Sequence, residues 1–206
     1  MKKLKVIDLF CGSGGFTLGF LSEKYNVELA VDIDPYCQKV YQKNLPNVRF
    51  ELKDISSLDK KIFAGLKPDV VVGGPPCQGF STIGSRISSV KKNRKKKDIR
   101  NNLVFSFIEH VNYLNPKFFL MENVRGILSR EDGGIFRELV KKIKSYGYKF
   151  EIYNLDAVNY GVPQYRKRVF IAGTKLENYE ISKPSYTHGN HFLFEKETSV
   201  NSVICD

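Results

Sequence analysis

At 206 residues the chain has the length of one domain, or of one domain with a short tail, and enough material for a full core. Its content of 42% hydrophobic and 13% aromatic residues excludes a disordered polymer, and no apolar run approaches the roughly 20 residues needed to cross a bilayer. The net charge of +11 is concentrated: Thr82–Arg100 holds eight basic residues against one acid, Asp98, so +7 lies in that stretch.

The N-terminus has a basic start and only a strand-length apolar segment, with no small-residue cleavage site after it, so no export is expected and the chain reads as cytoplasmic. The four cysteines, Cys11, Cys37, Cys77 and Cys205, show neither CxxC pairing nor His/Cys metal spacing, which predicts reduced thiols and no metal.

In chain order, Leu4–Phe10 reads as an apolar strand, followed by a glycine turn and a helix near Phe16–Lys24. Val27–Ile33 is a second strand, and Pro35–Asn44 a helix with proline in its first turn. Val48–Leu52 and Asp69–Val72 are the third and fourth strands. Asn102–Leu114 has helical periodicity through Leu103, Phe107, Val111 and Leu114. Lys117–Met121 is a fifth strand, Gly134–Tyr146 a helix, and Tyr148–Leu155 with Val169–Gly173 a closing pair of strands. Alternating strands and helices predict a doubly wound, mostly parallel α/β sheet, whose ligands bind beyond the carboxyl ends of the strands.

The motifs fall at those ends. Gly73-Gly74-Pro75-Pro76-Cys77-Gln78-Gly79-Phe80-Ser81 puts one thiol on a rigid turn directly after a buried strand, the place of a presented nucleophile rather than of a small core residue. Cys11 and Cys37 read as buried hydrophobes, and His110, His188 and His191 as structural. The basic stretch begins just after Cys77, which favours contact with nucleic-acid phosphates over a merely solvated charge run. Asp8-Leu9-Phe10-Cys11-Gly12-Ser13-Gly14-Gly15 places glycines between a strand and a helix, where backbone amides can approach a ligand; its spacing is neither GxGxxG nor a phosphate-binding loop. Asp32 ends the next strand, where a ribose diol would need an acceptor, and Asp54 with Ile55 ends the third, suited to an adenine edge and face. Three successive strand ends of this kind point to an adenosine-type cofactor.

Taken in order, these blocks resemble the C5-specific cytosine methyltransferase family. DLFCGSGG resembles its S-adenosylmethionine motif, GGPPCQGFS its nucleophile motif, Met121-Glu122-Asn123-Val124 its ENV block, and Tyr160–Arg168 its QxRxR block. Asp98-Ile99-Arg100-Asn101-Asn102-Leu103 resembles the return from the catalytic loop. The resemblance covers about residues 4–176. It implies a class I, Rossmann-like methyltransferase fold with a closing antiparallel strand, S-adenosyl-L-methionine as cofactor and double-stranded DNA as partner.

The resemblance also implies roles. Cys77 would attack C6 of a cytosine flipped out of the duplex, making C5 nucleophilic. Glu122 would meet N3 and the exocyclic amine, Arg168 would bind O2 and orient Glu122, and Arg166 would support the base or its phosphate. Phe10, Gly12, Gly14, Gly15, Asp32, Ile33, Asp54, Ile55, Pro76 and Leu103 would surround the cofactor. Ser81, Arg86, Lys91, Lys92, Arg94, Lys95, Lys96, Lys97 and Arg100, in a mobile basic catalytic loop over 81–101, and Gln164 would meet DNA.

The family pattern then predicts a limit. Residues 1–180 form the catalytic and cofactor-binding domain, and 181–206 resemble the connector toward a target-recognition region, which the sequence lacks together with the last cofactor-pocket block. Three readings follow: one subunit of a split enzyme whose second polypeptide carries recognition, a truncated form, or a minimal self-sufficient enzyme. A tRNA cytosine methyltransferase and a catalytically silent nucleic-acid-binding module of the same fold are the alternative functions.

Overall fold

The computed structural model describes residues 3–76 and 102–189. Its strands are β1 (Lys5–Leu9), β2 (Asn26–Asp32), β3 (Phe50–Leu52), β4 (Val70–Gly73), β5 (Phe118–Asn123), β6 (Lys149–Asp156) and β7 (Lys167–Thr174). Its α-helices are α1 (Gly15–Ser22), α2 (Pro35–Asn44), α3 (Asn102–Leu114) and α4 (Gly134–Ser145). Short 3₁₀ turns lie between them, at Ile55–Ser57, Lys60–Phe63, Arg125–Leu128, Arg130–Gly133 and Ala157–Tyr160.

The strands form one sheet in the order β3-β2-β1-β4-β5-β7-β6. All pairs from β3 to β5 are parallel, and β7 is antiparallel to both neighbours. The expected α/β architecture is therefore present, with one refinement. The antiparallel strand does not close an edge; it is inserted between β5 and β6, so it can send side chains directly beside β5.

Local chemistry accounts for these elements. β1 and β4 are Val/Ile-rich runs without alternation, as strands covered on both faces require. α2 starts at Pro35 because Asp34 caps it, its side chain accepting the Tyr36 N–H at 2.8 Å. The main core lies on one face, where Val104, Phe107, Ile108 and Val111 of α3 and Leu139 and Ile143 of α4 pack on Ile7, Val71, Phe119, Met121 and Ile171.

The other face is unevenly covered. Over β1, β2 and β4 it is closed by Phe16, Phe20 and Leu21 of α1. Over β5 and β7, which are interior strands, every second residue is only half-buried: Phe118, Leu120 and Glu122 on one, Arg168, Phe170 and Ala172 on the other. Among the described residues it is met by Phe16 of α1, edge-on to Phe170 at 6.4 Å, and by the chain after β7, with Tyr179 edge-on to Phe118 at 5.0 Å and the Tyr153 hydroxyl donating to the Ile181 carbonyl at 2.5 Å. Helix α1 is mostly apolar, with Thr17 turned into the interior, yet Leu18 is 61% exposed. Among the described residues no helix is long and apolar enough to cross a membrane.

Candidate active site

The carboxyl edge of the sheet gathers most of the residues marked in the sequence. Cys77 follows β4 by four residues and lies outside the described residues, as do Ser81, Arg86, Lys91, Lys92, Arg94, Lys95, Lys96, Lys97 and Arg100. What is described is the platform that carries Cys77, through Pro76. Pro75 is buried and Pro76 exposed. The Pro75 carbonyl accepts from Asn123 Nδ2 at 3.3 Å, a buried bond across 48 residues. Asn123 also accepts the Val124 N–H at 2.9 Å, so its amide is held at both ends. The end of β5 thereby fixes the turn two residues before the cysteine.

Glu122 and Arg168 form an ion pair, with Nε to Oε1 at 2.7 Å and 23% of each side chain exposed. The insertion of β7 beside β5 makes this contact. Arg168 Nη1 donates to the Lys167 carbonyl at 2.9 Å, which further orients the guanidinium plane. The other carboxylate oxygen faces the Pro-Pro turn: a methyl group built on Gly74 would sit 3.4 Å from Glu122 Oε2. A carboxylate, a cation paired with it and the turn that leads to Cys77 therefore share one edge. Arg166 and Gln164 are exposed on the approach to β7, with the Arg166 N–H donating to Asp156 Oδ1 at 2.8 Å.

The glycine turn after β1 forms the second part of the site. Gly12 (φ 53°) and Gly14 (φ 99°) take left-handed backbone. A side chain on Gly14 would meet Leu45 at 2.6 Å, whereas one on Gly12 would enter open space. The turn is closed by Asp32, whose Oδ2 accepts the Gly12 N–H at 2.8 Å and whose Oδ1 accepts the Asp34 N–H at 2.9 Å. Each oxygen keeps a second lone pair for a hydroxyl. Helix α1 begins at Gly15 with no side-chain cap, so its first-turn N–H groups have no side-chain acceptor there. Ile33 is 63% exposed next to Asp32. Phe10, at φ 59°, is half-buried against the core, and Leu103 is half-buried. Asp54 caps the 3₁₀ turn at Ile55–Ser57 two residues past β3, its Oδ1 accepting from both Ser56 N and Oγ at 2.8 Å. The Ile55 side chain is packed in the core, so a ligand would meet its backbone rather than its side chain.

Beneath the turn lies a buried chain of polar groups that sequence reading passed over. Asp8, fully buried, accepts from Thr17 Oγ1 at 2.7 Å, and Thr17 accepts from the Tyr41 hydroxyl at 2.8 Å. Asp8 Oδ1 has no hydrogen-bond partner among the described residues, and burial pushes the acid up to about 7. An acid within the apolar run of β1 is the sequence signal for this network. Cys11 is buried, and burial followed by the nearby Asp8 and Asp32 carboxyls pushes its thiol far up, consistent with an inert core residue. Cys37 corrects an expectation: it is half-buried rather than buried, because it sits on the first turn of α2 beside Asp32 and Asp34. His110 is structural as expected, its Nε2 2.9 Å from the Ile55 carbonyl. Among the described residues no group of His, Cys, Asp and Glu could hold a metal.

Comparison with known proteins adds the following. The family model described as C-5 cytosine-specific DNA methylase matches residues 4–206. The Type II methyltransferase M.DdeI of Desulfomicrobium norvegicum is 39% identical over 98% of this chain and 48% of its own length. The Type II methyltransferase M.AquIA of Picosynechococcus sp. is 36% identical over 90% of this chain and 77% of its own. A DNA modification methyltransferase encoded within an E. coli prophage superposes with a TM-score of 0.71 at 34% identity, covering 84% of this chain and 47% of that one. Spodoptera frugiperda DNMT2, at 22% identity and a TM-score of 0.69, shares the fold. The chain spans about half the length of M.DdeI and of the prophage enzyme.

Proposed function

The chain belongs to the C-5 cytosine-specific DNA methylase family, and from that premise we propose that it carries the catalytic machinery for methylating C5 of cytosine in DNA. The observation that carries this reading is the Glu122–Arg168 pair at 2.7 Å, set against the Gly74–Pro76 turn that leads to Cys77.

The residues present suit S-adenosylmethionine. Gly12 leaves open space over the turn, Asp32 offers acceptor lone pairs for a ribose, Ile33 offers an exposed apolar side chain, and the uncapped start of α1 offers N–H groups to a carboxylate. When bound, that cofactor supplies an electrophilic methyl group. This chain's own part is to activate the base. A thiol with an ordinary pKa of about 8.5 is only a few per cent thiolate at neutral pH, so the ring must be made electrophilic. Cys77 adds to C6 as Glu122 delivers or holds a proton at N3, and the ring electrons move toward C5. Arg168 fixes Glu122 and offers its cation to O2. Once C5 is methylated a base takes its proton, the electrons of that bond restore the C5–C6 double bond, and Cys77 leaves C6 as thiolate. The target must first leave the stack, at a cost of a few kcal/mol.

We propose further that a second stretch of polypeptide, in cis or in trans, completes this unit. Its support is the half-buried outer face of β5 and β7, the exposed Leu18 of α1, and the half-length match to M.DdeI.

The deciding experiment is covalent trapping on a duplex containing 5-fluorocytosine, with tRNA as the comparison substrate and with or without the missing half supplied. A cofactor-dependent adduct that disappears in Cys77→Ser supports the reading. No adduct in either arrangement overturns it.

A further inference from the structure

Beside the catalytic edge lies a polar cavity of about 270 Å³ that the chemistry above does not use. It is lined by Arg125, Asn154, Asp156, Asn159 and Lys167, with Leu155 and Tyr186 completing the wall. Its position is set by strand register. Lys167 pairs with Asp156 and Arg168 with Leu155, so the cavity begins one residue from the Glu122–Arg168 pair. Successive side chains on a strand point to opposite faces, so Lys167 turns away from Arg168 and into this second site. Arg125 enters from the 3₁₀ turn directly after β5, three residues beyond Glu122.

The charge is unbalanced. Neither Arg125 nor Lys167 has an ion pair or side-chain hydrogen bond among the described residues. The one acid in the wall, Asp156, already accepts the Arg166 N–H through Oδ1. Two cations and one carboxylate leave a net positive cavity whose remaining polar walls, Asn154 and Asn159, can donate through their amides. The site is also pre-shaped. The Asn159 carbonyl accepts the Thr187 and His188 N–H groups at 3.0 Å each, and Tyr186 stacks edge-on against Tyr160 at 5.7 Å. Its volume falls just below the roughly 300–1,000 Å³ of small-molecule pockets, and its lining is polar where theirs is apolar. That suits one phosphate and part of its sugar. A guanidinium fork and an ammonium converging from separate elements are the donors such a group takes.

We propose that Arg125 and Lys167, with Asn154 and Asn159, form a phosphate subsite that grips one backbone phosphate of the DNA next to the catalytic edge. The proposal rests on the DNA-substrate reading above. It assigns Lys167, the middle residue of Arg166-Lys167-Arg168, a task separate from both arginines.

The test is a salt titration of duplex binding by fluorescence anisotropy, using the full chain. Losing one phosphate contact in R125Q/K167Q lowers the slope of log affinity against log salt by about 0.9. The charge-preserving R125K/K167R keeps most of the slope. Circular dichroism reports folding; should the double variant not fold, R125Q and K167Q singly carry the test, each with a reduced slope. A folded R125Q/K167Q, or both singles, with the wild-type slope overturns the subsite while leaving the enzyme reading intact. Inorganic phosphate that competes at matched ionic strength, together with an unchanged slope, assigns the cavity to a free anion and also overturns it. Wild-type protein that binds no duplex, either alone or with a candidate second polypeptide supplied, overturns the DNA reading itself, and the subsite with it.

Discussion

Glu122 Oε1 lies 2.7 Å from Arg168 Nε, between two strands that run antiparallel in an otherwise mainly parallel sheet. The contact exists because β7 is inserted at β5 rather than at the sheet edge. It fixes one carboxylate oxygen and leaves the other beside Gly74. Glu122→Gln keeps the shape and removes the proton chemistry, so methyl transfer in the completed enzyme should slow by about 10²–10⁴-fold. Arg168→Lys keeps a charge but not the planar fork, and a loss of about tenfold or more is expected. Single-turnover transfer measures both. An E122Q rate within threefold of wild type rules out proton handling by this carboxylate.

Two glycines of the same turn should behave differently. A methyl group on Gly14 meets Leu45 at 2.6 Å and Tyr41 at 3.0 Å on a backbone at φ 99°. Gly14→Ala should therefore destabilise the fold by about 1–3 kcal/mol. A methyl group on Gly12 meets nothing within 4 Å. Gly12→Ala should carry only a backbone cost of about 1 kcal/mol, with the larger effect on S-adenosylmethionine affinity, because the methyl projects into the cradle. Urea melts and calorimetric titration separate the two. Equal affinity losses at equal stability would contradict the assignment of Gly12 to the cofactor and Gly14 to packing.

The contrast shows where sequence reading succeeds. α2 is legible to the residue because a cap, a first-turn proline and periodicity all agree at Asp34, Pro35 and Tyr41. β4 is legible because a buried strand leaves an uninterrupted apolar run, and β1 because Asp8 alone breaks its apolar run. Glu122 and Arg168 are legible as types, but their contact depends on strand order, which no local pattern encodes. The half-covered face of β5 and β7 is equally invisible, since Phe118, Leu120 and Phe170 look like ordinary core residues. The tasks of Asn123, beside a charged neighbour at a strand end, and of Asp8, within an apolar run, are not legible because their partners, Pro75 and Thr17, come from elsewhere in the chain.

Asp8 should leave a signature in the pH dependence of stability. Burial raises its folded pKa to about 7, against about 3.9 in an unfolded chain. Below about pH 4 both states are protonated and the acid costs nothing. As pH rises from about 4 to about 7 the unfolded state ionises first and stability falls, by up to about 4 kcal/mol; above that window the penalty is constant. His110 slopes the other way, because burial lowers its pKa and stability rises as pH climbs toward its unfolded value. The informative quantity is therefore the difference between wild type and Asp8→Asn. That difference should grow between about pH 4 and about pH 7 in favour of the variant and level off above. Parallel denaturation midpoints across the range would show that Asp8 does not titrate there.

Asn123 makes the most local prediction. It is 2% exposed, and its Nδ2 holds the Pro75 carbonyl at 3.3 Å while its Oδ1 takes the Val124 N–H at 2.9 Å. It touches no reacting atom, so it acts by holding the turn that carries Cys77. Asn123→Asp preserves volume but sets a carboxylate oxygen against the Pro75 carbonyl, replacing a hydrogen bond by repulsion. Asn123→Ala leaves that carbonyl without its donor, at about 1–3 kcal/mol for a buried group. If Asn123 positions Cys77, both variants should slow covalent trapping on 5-fluorocytosine DNA by about 10–100-fold, since misplacement of about 1 Å can cost 10²-fold. S-adenosylmethionine affinity should stay near wild type, because the glycine turn is built on β1 and α1. A purely structural Asn123 would lower both together in proportion to lost stability. Trapping rate and cofactor affinity, measured on the same folded preparations, distinguish the two.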